Sequence, residues 1–331
     1  MEQVTFGLLG AGRHALQSHL EPLLRLGQRV LVWDPDPRAL AAALASGGAA
    51  SADGAGAGQV VAAGSGDEVL AGCDGLLVCS PDRFHTPSLL AAARRELPVL
   101  VEKPVAVTPD DVVAAAGVLS GGFGPRVSTC HPRRTDPPFV ALRGLLPELV
   151  AELGPVRRVV LDFDYPPPRA GQPVLHSSLL TDHVGHELDL VEFLLGVPAL
   201  VDGADVLAAG LDPQVNYAVT GRRSDGVTFA FTGRRTDPAR TGYDERLTLE
   251  CATGSVTVST RAGESFVQAP SGRRALPVGG TDYVERFRAV NANFVAMVTR
   301  GEHGYVTPAQ ILRNTAATVA LHETGAFRLM T

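Results

Sequence analysis

The chain has 331 residues, of which 45% are hydrophobic and 19% are charged, and its formal net charge is −6. This composition is ordinary for a soluble globular protein, and the length suits two domains. The acidic balance, without a basic block, argues against binding to nucleic acid or to an anionic membrane surface. No apolar run of about 18 residues predicts a membrane span. A strand pattern begins almost at the N-terminus, so we expect no signal peptide and a cytoplasmic protein.

Four cysteines are scattered inside or beside apolar runs, at Cys73, Cys79, Cys130 and Cys251. Such positions are typical of small buried side chains in a reducing compartment, and they do not suggest a disulfide framework.

The first motif lies between an apolar run over Val4–Leu9, which predicts a buried strand, and a helical pattern from about His14 to Leu26. It has the form G-x-G-x-x-A, in which Gly10 permits a tight turn and Gly12 lets the backbone approach a pyrophosphate. Ala15 allows close packing of helix and strand. The phosphates of a cofactor would bind to amides at the helix N-terminus. We therefore expect the following residues to bind a dinucleotide cofactor: Gly10, Gly12, Arg13, His14 and Ala15.

The second predicted strand, Arg29–Trp33, ends in Asp34, about 20 residues beyond the glycine loop. An acidic residue there binds the ribose hydroxyls of adenosine and would repel the additional phosphate of NADP. The sequence therefore favours NAD, with NADP as the alternative cofactor. The other interpretation of Asp34 is a turn residue within Asp-Pro-Asp-Pro.

Further strand–helix units follow. Residues 40–66 predict a helix, a loop and a short strand around Val60, and later strands are predicted at 75–79, 98–101 and 126–130. A helix over about residues 86–95 connects the first two of these later strands. Such units predict a doubly wound parallel sheet that binds its ligand beyond the carboxyl ends of the strands. Five more residues at these ends are candidate cofactor ligands: Ser80, Pro81, His85, Glu102 and Lys103.

A helical pattern over residues 181–196 carries two opposite stripes. One stripe is aliphatic, with Val184, Leu188, Val191 and Leu195. The other contains Asp182, His186, Asp189 and Phe193. Asp182 and His186 are four residues apart, so the carboxylate is placed to orient the imidazole as a general base. The alternatives are a solvated polar face and a metal site that includes His183. No known metal-ligand spacing is matched, so we expect no metal.

Together these motifs resemble the Gfo/Idh/MocA family, which contains glucose–fructose oxidoreductase and inositol dehydrogenase-like enzymes. The resemblance rests on four ordered motifs: Gly10-x-Gly12-x-x-Ala15, Ser80-Pro81…His85, Glu102-Lys103-Pro104 and Asp182…His186-Glu-Leu-Asp189. It implies that Lys103, Asp182 and His186 line the substrate pocket beside the nicotinamide as catalytic residues. Pro104 is similar to a family proline whose preceding peptide bond is often cis.

The resemblance also indicates a substrate-binding segment at His131-Pro-Arg-Arg134, where the family often has an Asn-Arg-Arg-like sequence. Arg133 and Arg134 are candidates to hold a substrate rich in hydroxyls or bearing a carboxylate. The alternative for either arginine is a structural ion pair. Residues 165–173 form a predicted loop and candidate lid, followed by His176, where many relatives have paired glycines. The full set of candidate substrate ligands is His131, Arg133, Arg134, His176 and His183.

After a helix over about residues 138–153, six strands are predicted at 156–165, 199–209, 214–222, 226–235, 243–251 and 254–260. Short connections between them favour antiparallel pairing. Helices are predicted at about 283–299 and 308–324, the last with Thr307 as its N-cap. We therefore predict an α/β protein with a Rossmann domain at residues 1–130. Residues 131–331 would form an α+β domain with a large, mainly antiparallel open sheet. The resemblance implies that the final helix packs back on the first domain and that the sheet forms a homodimer or homotetramer.

The sequence thus predicts an NAD(P)-dependent oxidoreductase acting on a secondary alcohol of a sugar, a cyclitol or a related polyol. In this hypothesis His186 removes the hydroxyl proton, Asp182 orients His186, and Lys103 hydrogen-bonds the reacting oxygen. Three alternatives stay open, because a fold does not fix a function. They are a glycosidase that retains NAD, a reductase of imines or similar double bonds, and a non-catalytic NAD-binding sensor.

Overall fold

The computed structural model describes residues 4–52, 58–164, 179–196, 202–206, 216–234 and 244–328. The chain divides into two compact units. The first comprises Met1–Pro132 and Tyr283–Thr315, and the second comprises Arg133–Asp282 and Ala316–Thr331. The domain boundary at residue 130 and the packing of the final helix on the first domain stay predictions.

The first unit contains a six-stranded parallel sheet in the spatial order β3-β2-β1-β4-β5-β6. The strands are β1 (Thr5–Leu9), β2 (Arg29–Trp33), β3 (Gln59–Ala62), β4 (Gly75–Val78), β5 (Val99–Val101) and β6 (Val127–Thr129). The chain proceeds outward from β1 to β3 and then returns to place β4 on the other side of β1. The strand order therefore reverses between β1 and β4, which is where doubly wound sheets bind their ligands. The predicted fold class of this part is confirmed.

The strands of this sheet are continuous apolar runs because both of their faces are covered. Every residue of β1, β4 and β5 is buried. The longer helices of the unit are Pro37–Ala52, Gly66–Gly72, His85–Arg94, Pro109–Leu119 and Tyr283–Arg300. Two of them begin at side-chain caps, in which Ser65 accepts the amide hydrogen of Glu68 and Thr108 accepts that of Asp111. Such caps satisfy amides that the first turn of a helix leaves unpaired.

The helix that follows β1 departs from the regular pattern predicted over residues 14–26. Its first turn is Arg13–Ala15 and its last is Glu21–Arg25, with a π-helical turn, Leu16–Leu20, between them. In an α-helix, side chains five residues apart point about 140° away from each other. In a π-helical turn the hydrogen-bonded repeat is five residues, so such side chains share one face.

The second unit contains eight strands in the order β14-β13-β12-β11-β7-β10-β9-β8. They are β7 (Val156–Asp164), β8 (Asp202–Val206), β9 (Asn216–Arg222), β10 (Thr228–Arg234), β11 (Asp244–Cys251), β12 (Ser255–Ser259), β13 (Phe266–Ala269) and β14 (Gly272–Ala275). Among these described strands, β7 pairs with β10 in parallel and every other neighbouring pair is antiparallel. The mainly antiparallel sheet was predicted, but β13 and β14 were not. All four residues of β14 are exposed, so β14 lacks the alternation that marks a half-buried strand.

Three helices accompany this sheet in the chain: Pro137–Leu153, Leu179–Leu195 and the helix Pro308–Arg328, whose first residues belong to the first unit. In the second of these, Val184, Leu188 and Val191 are buried, as predicted for an aliphatic stripe. Asp189 and Glu187 are buried as well. The interpretation of this helix as a surface helix with a solvated polar face is therefore wrong.

Within the described part of the chain, no helix combines the length and apolarity needed to cross a membrane. All four cysteines are free thiols, as predicted. Burial raises the pKa of Cys79 and of Cys130 well above the usual value for a thiol. Cys130 is buried and Cys79 is half-buried, and both are neutral thiols near pH 7.

Candidate active site

Three of the predicted cofactor-binding segments meet at one edge of the parallel sheet. Gly10 follows β1, Ser80 follows β4 shortly after it ends, and Glu102 follows β5, and these three strands are neighbours. The ladder extends slightly beyond the strands, since Cys79 N–H donates to the Leu9 carbonyl (2.8 Å) and Glu102 N–H to that of Val78 (2.9 Å). The residues that the sequence places at separate strand ends are therefore neighbours in space.

The two glycines of the first loop have different surroundings. Gly10 has a φ of +92°, and a Cβ there would lie 2.6 Å from the Ser80 amide nitrogen and 2.7 Å from the Cys79 carbonyl. At Gly12 no atom lies within 4 Å of the position a Cβ would take. Gly12 is also the N-cap of the following helix, whose Ala15 is buried. The loop thus has a tight turn at Gly10 and open space in front of the helix N-terminus, which fits a pyrophosphate.

Asp34 lies at the end of β2 and holds the glycine loop through its carboxylate. One oxygen accepts the Ala11 amide hydrogen (2.7 Å) and the other accepts that of Asp36 (2.8 Å). Each carboxylate oxygen has a further lone pair available for a ribose hydroxyl. Next to the loop is a groove of about 610 Å³, lined among others by Arg13, Asp36 and Arg38. The structure therefore combines the predicted turn role of Asp34 with a position suited to adenosine.

His85 links two of the strand-end segments. Its Nδ1 lies 2.7 Å from the Pro104 carbonyl oxygen, and its Nε2 lies 2.7 Å from the Ser80 carbonyl oxygen. The Lys103–Pro104 peptide bond is cis, in agreement with the resemblance. The neighbouring Thr86 hydroxyl donates to the Val105 carbonyl (2.8 Å). His85 is buried beneath these loops. Its contact with the Pro104 carbonyl oxygen holds the segment that carries Lys103.

Glu102 is buried and its two oxygens have different partners. Oε1 lies 3.0 Å from His14 Nε2 and 2.7 Å from His19 Nε2. Oε2 accepts the backbone amide hydrogen of Lys103 (3.1 Å). Burial alone would raise the pKa of Glu102, but the two imidazoles hold this pKa well below its usual range. Glu102 is therefore a carboxylate that positions the backbone of Lys103.

His19 was not among the predicted site residues. It is fully buried, and its Nδ1 lies 3.2 Å from Asn291 Oδ1. The π-helical turn places it on the same face as His14, five residues earlier in the chain. A regular helix would separate these two side chains, so the α-helical periodicity used for the prediction gave no signal for their proximity.

His131 is buried at the end of the first unit's sheet, two residues after β6. Its backbone amide donates to the Tyr305 hydroxyl (2.8 Å), which in turn donates to the Thr129 carbonyl (3.0 Å). The structure thus fixes the backbone of the predicted substrate segment at this point. Contact of His131 with a substrate stays a prediction.

In the second unit, both predicted substrate arginines form buried ion pairs. Arg134 binds the Asp189 carboxylate through Nε (2.9 and 3.0 Å) and Nη2 (2.8 Å). Arg133 Nε lies 2.7 Å from Glu245 Oε1. The alternative of a structural ion pair is thus what the structure shows for each arginine. A further role in holding substrate stays a prediction.

A second buried acid, Glu187, lies on the same helix as His183 and His186 and forms a short hydrogen bond with the Tyr217 hydroxyl. Burial raises the pKa of Glu187 to about 8, although Tyr217 and the charge of Arg133 act in the opposite direction. Glu187 was not among the predicted site residues because neither predicted stripe covers its side of the helix. The available signal was the four-residue spacing from His183 to Glu187, which repeats the spacing of Asp182 and His186.

The remaining predicted residues have less defined surroundings. His183 is buried, with its ring centroid 4.5 Å from that of Phe163 and 6.1 Å from that of His186. His186 is half-buried. His176, the candidate lid at 165–173 and the side chain of Asp182 lie outside the described part of the structure.

The fold and these residues define a Rossmann-type dinucleotide-binding protein with a second α+β unit. The sequence profile of the oxidoreductase family with an NAD-binding Rossmann fold matches residues 4–119. Inositol 2-dehydrogenase 2 from Saccharopolyspora erythraea is 30% identical over 244 residues, which are 70% of this chain and 68% of that protein. The chain therefore belongs to the Gfo/Idh/MocA family of oxidoreductases, as the motifs indicated.

Two further similarities differ in extent. An inositol 2-dehydrogenase from Corynebacterium glutamicum is 31% identical over 123 residues, which span 37% of this chain and about a third (35%) of that protein. The crystal structure of a myo-inositol dehydrogenase from Corynebacterium glutamicum has a TM-score of 0.74 at 21% identity, covering 98% of this chain and 97% of that one. The second similarity shows that the two-unit fold is shared over nearly the entire chain.

Proposed function

We propose that this protein is an NAD-dependent dehydrogenase that oxidises a secondary alcohol of a cyclitol, a sugar or a related polyol. The observation that carries the proposal is the position of Lys103. It follows β5 at the edge of the sheet that also carries the glycine loop. On one side of it in the chain, the buried Glu102 carboxylate accepts the Lys103 amide hydrogen. On the other side, the Pro104 carbonyl oxygen is a hydrogen-bond partner of His85. Both aligned relatives named above are inositol 2-dehydrogenases, which supports cyclitols as the first substrate class to test.

The composition of the chain supports a chemical role for Lys103. It is the only lysine, whereas the other 28 cationic Lys/Arg positions are all arginine. The use of arginine for every other such charge supports a specific role for an ammonium group at this position. An ammonium is a compact point charge that is able to give up a proton, whereas a guanidinium is planar and permanently charged. This difference suits a group that hydrogen-bonds a reacting hydroxyl oxygen and stabilises the negative charge that develops on it.

The described residues fit a dinucleotide. The open space at Gly12, the helix N-terminus behind it and the carboxylate of Asp34 would hold the pyrophosphate and the adenosine ribose. When bound, NAD supplies the hydride acceptor, at C4 of its nicotinamide ring.

The proposal assigns the proton transfer to the helix Leu179–Leu195. His186 would remove the hydroxyl proton, and Asp182, four residues earlier, would orient the imidazole. Lys103 would hold the same oxygen during the transfer. In the reverse direction His186 returns the proton to the oxygen.

The test is NADH formation, followed by absorbance, with a panel of inositols, sugars and sugar acids. We expect activity with at least one of them and its loss in Lys103→Met and in His186→Ala, while calorimetry shows NAD binding retained. Lys103→Arg is the matched control for charge, and we expect it to be nearly as impaired as Lys103→Met. A fully active Lys103→Arg would contradict the role given to the ammonium group. Tight NAD binding without activity on any compound would favour the NAD-retaining glycosidase or the sensor.

The preference for NAD over NADP rests on Asp34, and the arginine Arg38 in the adjacent groove makes it worth testing. Titration of both cofactors should show tighter binding of NAD to the wild type. In Asp34→Ser the preference should decrease or reverse, because the carboxylate no longer repels the additional phosphate. Tighter binding of NADP to the wild type would show that the assignment is wrong.

We also propose that the chain forms a homodimer or homotetramer through its eight-stranded sheet. Multi-angle light scattering would measure the mass of the assembly, and a mass equal to one chain at micromolar concentration would contradict this proposal.

A further inference from the structure

Two histidines and a glutamate form a compact cluster in the first unit, outside the catalytic roles assigned above. One donor atom from each of His14, His19 and Glu102 lies within 4.8 Å of the other two. His19 is fully buried and Glu102 nearly so, whereas the side chain of His14 is 52% exposed. The cluster is therefore buried at His19 and Glu102 and open to solvent at His14.

The hydrogen bonds around His19 place a hydrogen on its Nδ1 nitrogen. The side-chain nitrogen of Asn291 donates to the carbonyl oxygens of Ser18 (2.8 Å) and Phe287 (2.7 Å), which fixes the amide orientation. Its oxygen therefore faces His19 Nδ1 and has to accept a hydrogen from it. A neutral His19 would then present the lone pair of Nε2 to a carboxylate oxygen 2.7 Å away. Two lone pairs at this distance require a positive charge between them, either a proton or a metal ion.

The same arrangement supplies the outer hydrogen bonds that metal-binding histidines have. A ligating imidazole nearly always donates its second N–H to an oxygen, which fixes the tautomer and the orientation of the ring. Asn291 Oδ1 fills this position for His19, and Ser18 Oγ, 3.2 Å from Nδ1, fills it for His14. Ser18 Oγ is able to accept this hydrogen because its own hydroxyl hydrogen can be donated to the Tyr283 hydroxyl, which lies 3.0 Å away.

We propose that His14, His19 and Glu102 form a binding site for one divalent transition-metal ion of the zinc class. Two imidazole nitrogens and one carboxylate oxygen are a known ligand set for Zn²⁺, with water completing a tetrahedron on the exposed side of His14. Zinc–ligand bonds of about 2.0–2.1 Å place neighbouring ligand atoms about 3.3 Å apart. The Glu102 oxygen lies 3.0 and 2.7 Å from the two nitrogens, so these separations have to increase by a few tenths of an ångström. The two nitrogens, which lie within 4.8 Å of each other, have to come to about the same separation. The bound ion would link the helix after the glycine loop to the Glu102–Pro104 segment.

The test uses the full chain without a histidine tag, titrated calorimetrically with Zn²⁺ at about pH 7. We expect one Zn²⁺ per chain and a weakening of about 100-fold or more in His14→Gln, since loss of an outer hydrogen bond alone typically costs 10–100-fold. His303→Gln is the matched control, because His303 is an exposed histidine of the same unit, and it should leave the affinity unchanged. Glu102→Gln should weaken binding as His14→Gln does.

A further readout separates this site from adventitious surface binding. Co²⁺ should produce the intense visible absorption of a tetrahedral site in the wild type and in His303→Gln, but not in His14→Gln. Equal Zn²⁺ affinity in the wild type and His14→Gln, or equal losses in His14→Gln and His303→Gln, would overturn the proposal.

Discussion

Arg134 and Asp189 form a buried ion pair in which Nε and Nη2 of the arginine bind the carboxylate at 2.8–3.0 Å. Both side chains are at most 8% exposed. The pair connects the segment after His131 to the helix Leu179–Leu195 within the second unit. A buried guanidinium is tolerated only when its charge is matched, so Asp189 is what permits Arg134 to occupy this position.

Replacement Asp189→Asn should leave Arg134 buried without its counter-charge. We expect a loss of about 3–5 kcal/mol in the free energy of unfolding, measured by urea denaturation. Glu21→Gln is the control, because Glu21 forms an exposed pair with Arg25 and should change stability by at most about 1 kcal/mol. Equal effects of the two substitutions would mean that the Arg134–Asp189 pair is not effectively desolvated.

The two loop glycines predict opposite outcomes for the same substitution. Gly10→Ala places a methyl group against the backbone of Cys79 and Ser80 and forces alanine to a φ of +92°. We expect destabilisation by about 3 kcal/mol or more. Gly12→Ala meets no atom within 4 Å, so it should fold with nearly unchanged stability. Its effect should be on NAD, whose binding we expect to weaken at least about tenfold because the methyl group occupies the space of the pyrophosphate.

Thermal denaturation and calorimetric NAD titration of both variants measure this difference. The reverse pattern, a stable Gly10→Ala and a destabilised Gly12→Ala, would contradict the assigned geometry. Full NAD affinity in Gly12→Ala would show that the pyrophosphate does not bind over this residue.

We predict that His85 supports the sheet edge where the cofactor would bind, because it holds the backbone carbonyls of Ser80 and Pro104. In His85→Ala the carbonyl oxygens of Ser80 and Pro104 lose their shared partner. We expect a loss of about 1–3 kcal/mol in stability together with a larger fall in kcat than in NAD affinity, since the segment that carries Lys103 is no longer held. His303→Ala, at an exposed site, is the control. A fall in stability with kcat unchanged would limit His85 to a packing role.

The parallel sheet could be predicted from the sequence because its strands are continuous apolar runs separated by glycine and proline signals, such as Thr5–Leu9 before Gly10. The cofactor edge followed from the topology, since the ends of neighbouring parallel strands must coincide. These are local or topological rules, and they hold without knowledge of side-chain contacts.

The histidine cluster could not be predicted in this way. The proximity of His14 and His19 depends on one π-helical turn, and the charge of their partner Glu102 depends on a fold that brings residues 83 and 88 positions apart together. Likewise, the ion pairs of Arg133 and Arg134 are formed with carboxylates from distant segments. The sequence identifies these arginines as candidates to bind an anion. It does not distinguish a bound substrate from a buried carboxylate of the same chain.

Glu187 predicts a specific dependence of stability on pH. Burial raises its pKa from 4.5 to about 8, so between these values the folded chain retains a proton that the unfolded chain has released. Because the folded state binds more protons in this window, the contribution of Glu187 to stability decreases as the pH rises from about 4.5 to about 8. The slope contributed by one such group is at most about 1.4 kcal/mol per pH unit.

Replacement Glu187→Gln removes this titration and keeps an oxygen that accepts the hydroxyl hydrogen of Tyr217. We expect Glu187→Gln to gain stability relative to the wild type as the pH rises through the window, measured by urea denaturation at intervals from about pH 5 to about pH 9. Glu21→Gln, at an exposed position, should run parallel to the wild type. A Glu187→Gln curve that also runs parallel to the wild type would show that Glu187 is ionised in the folded protein.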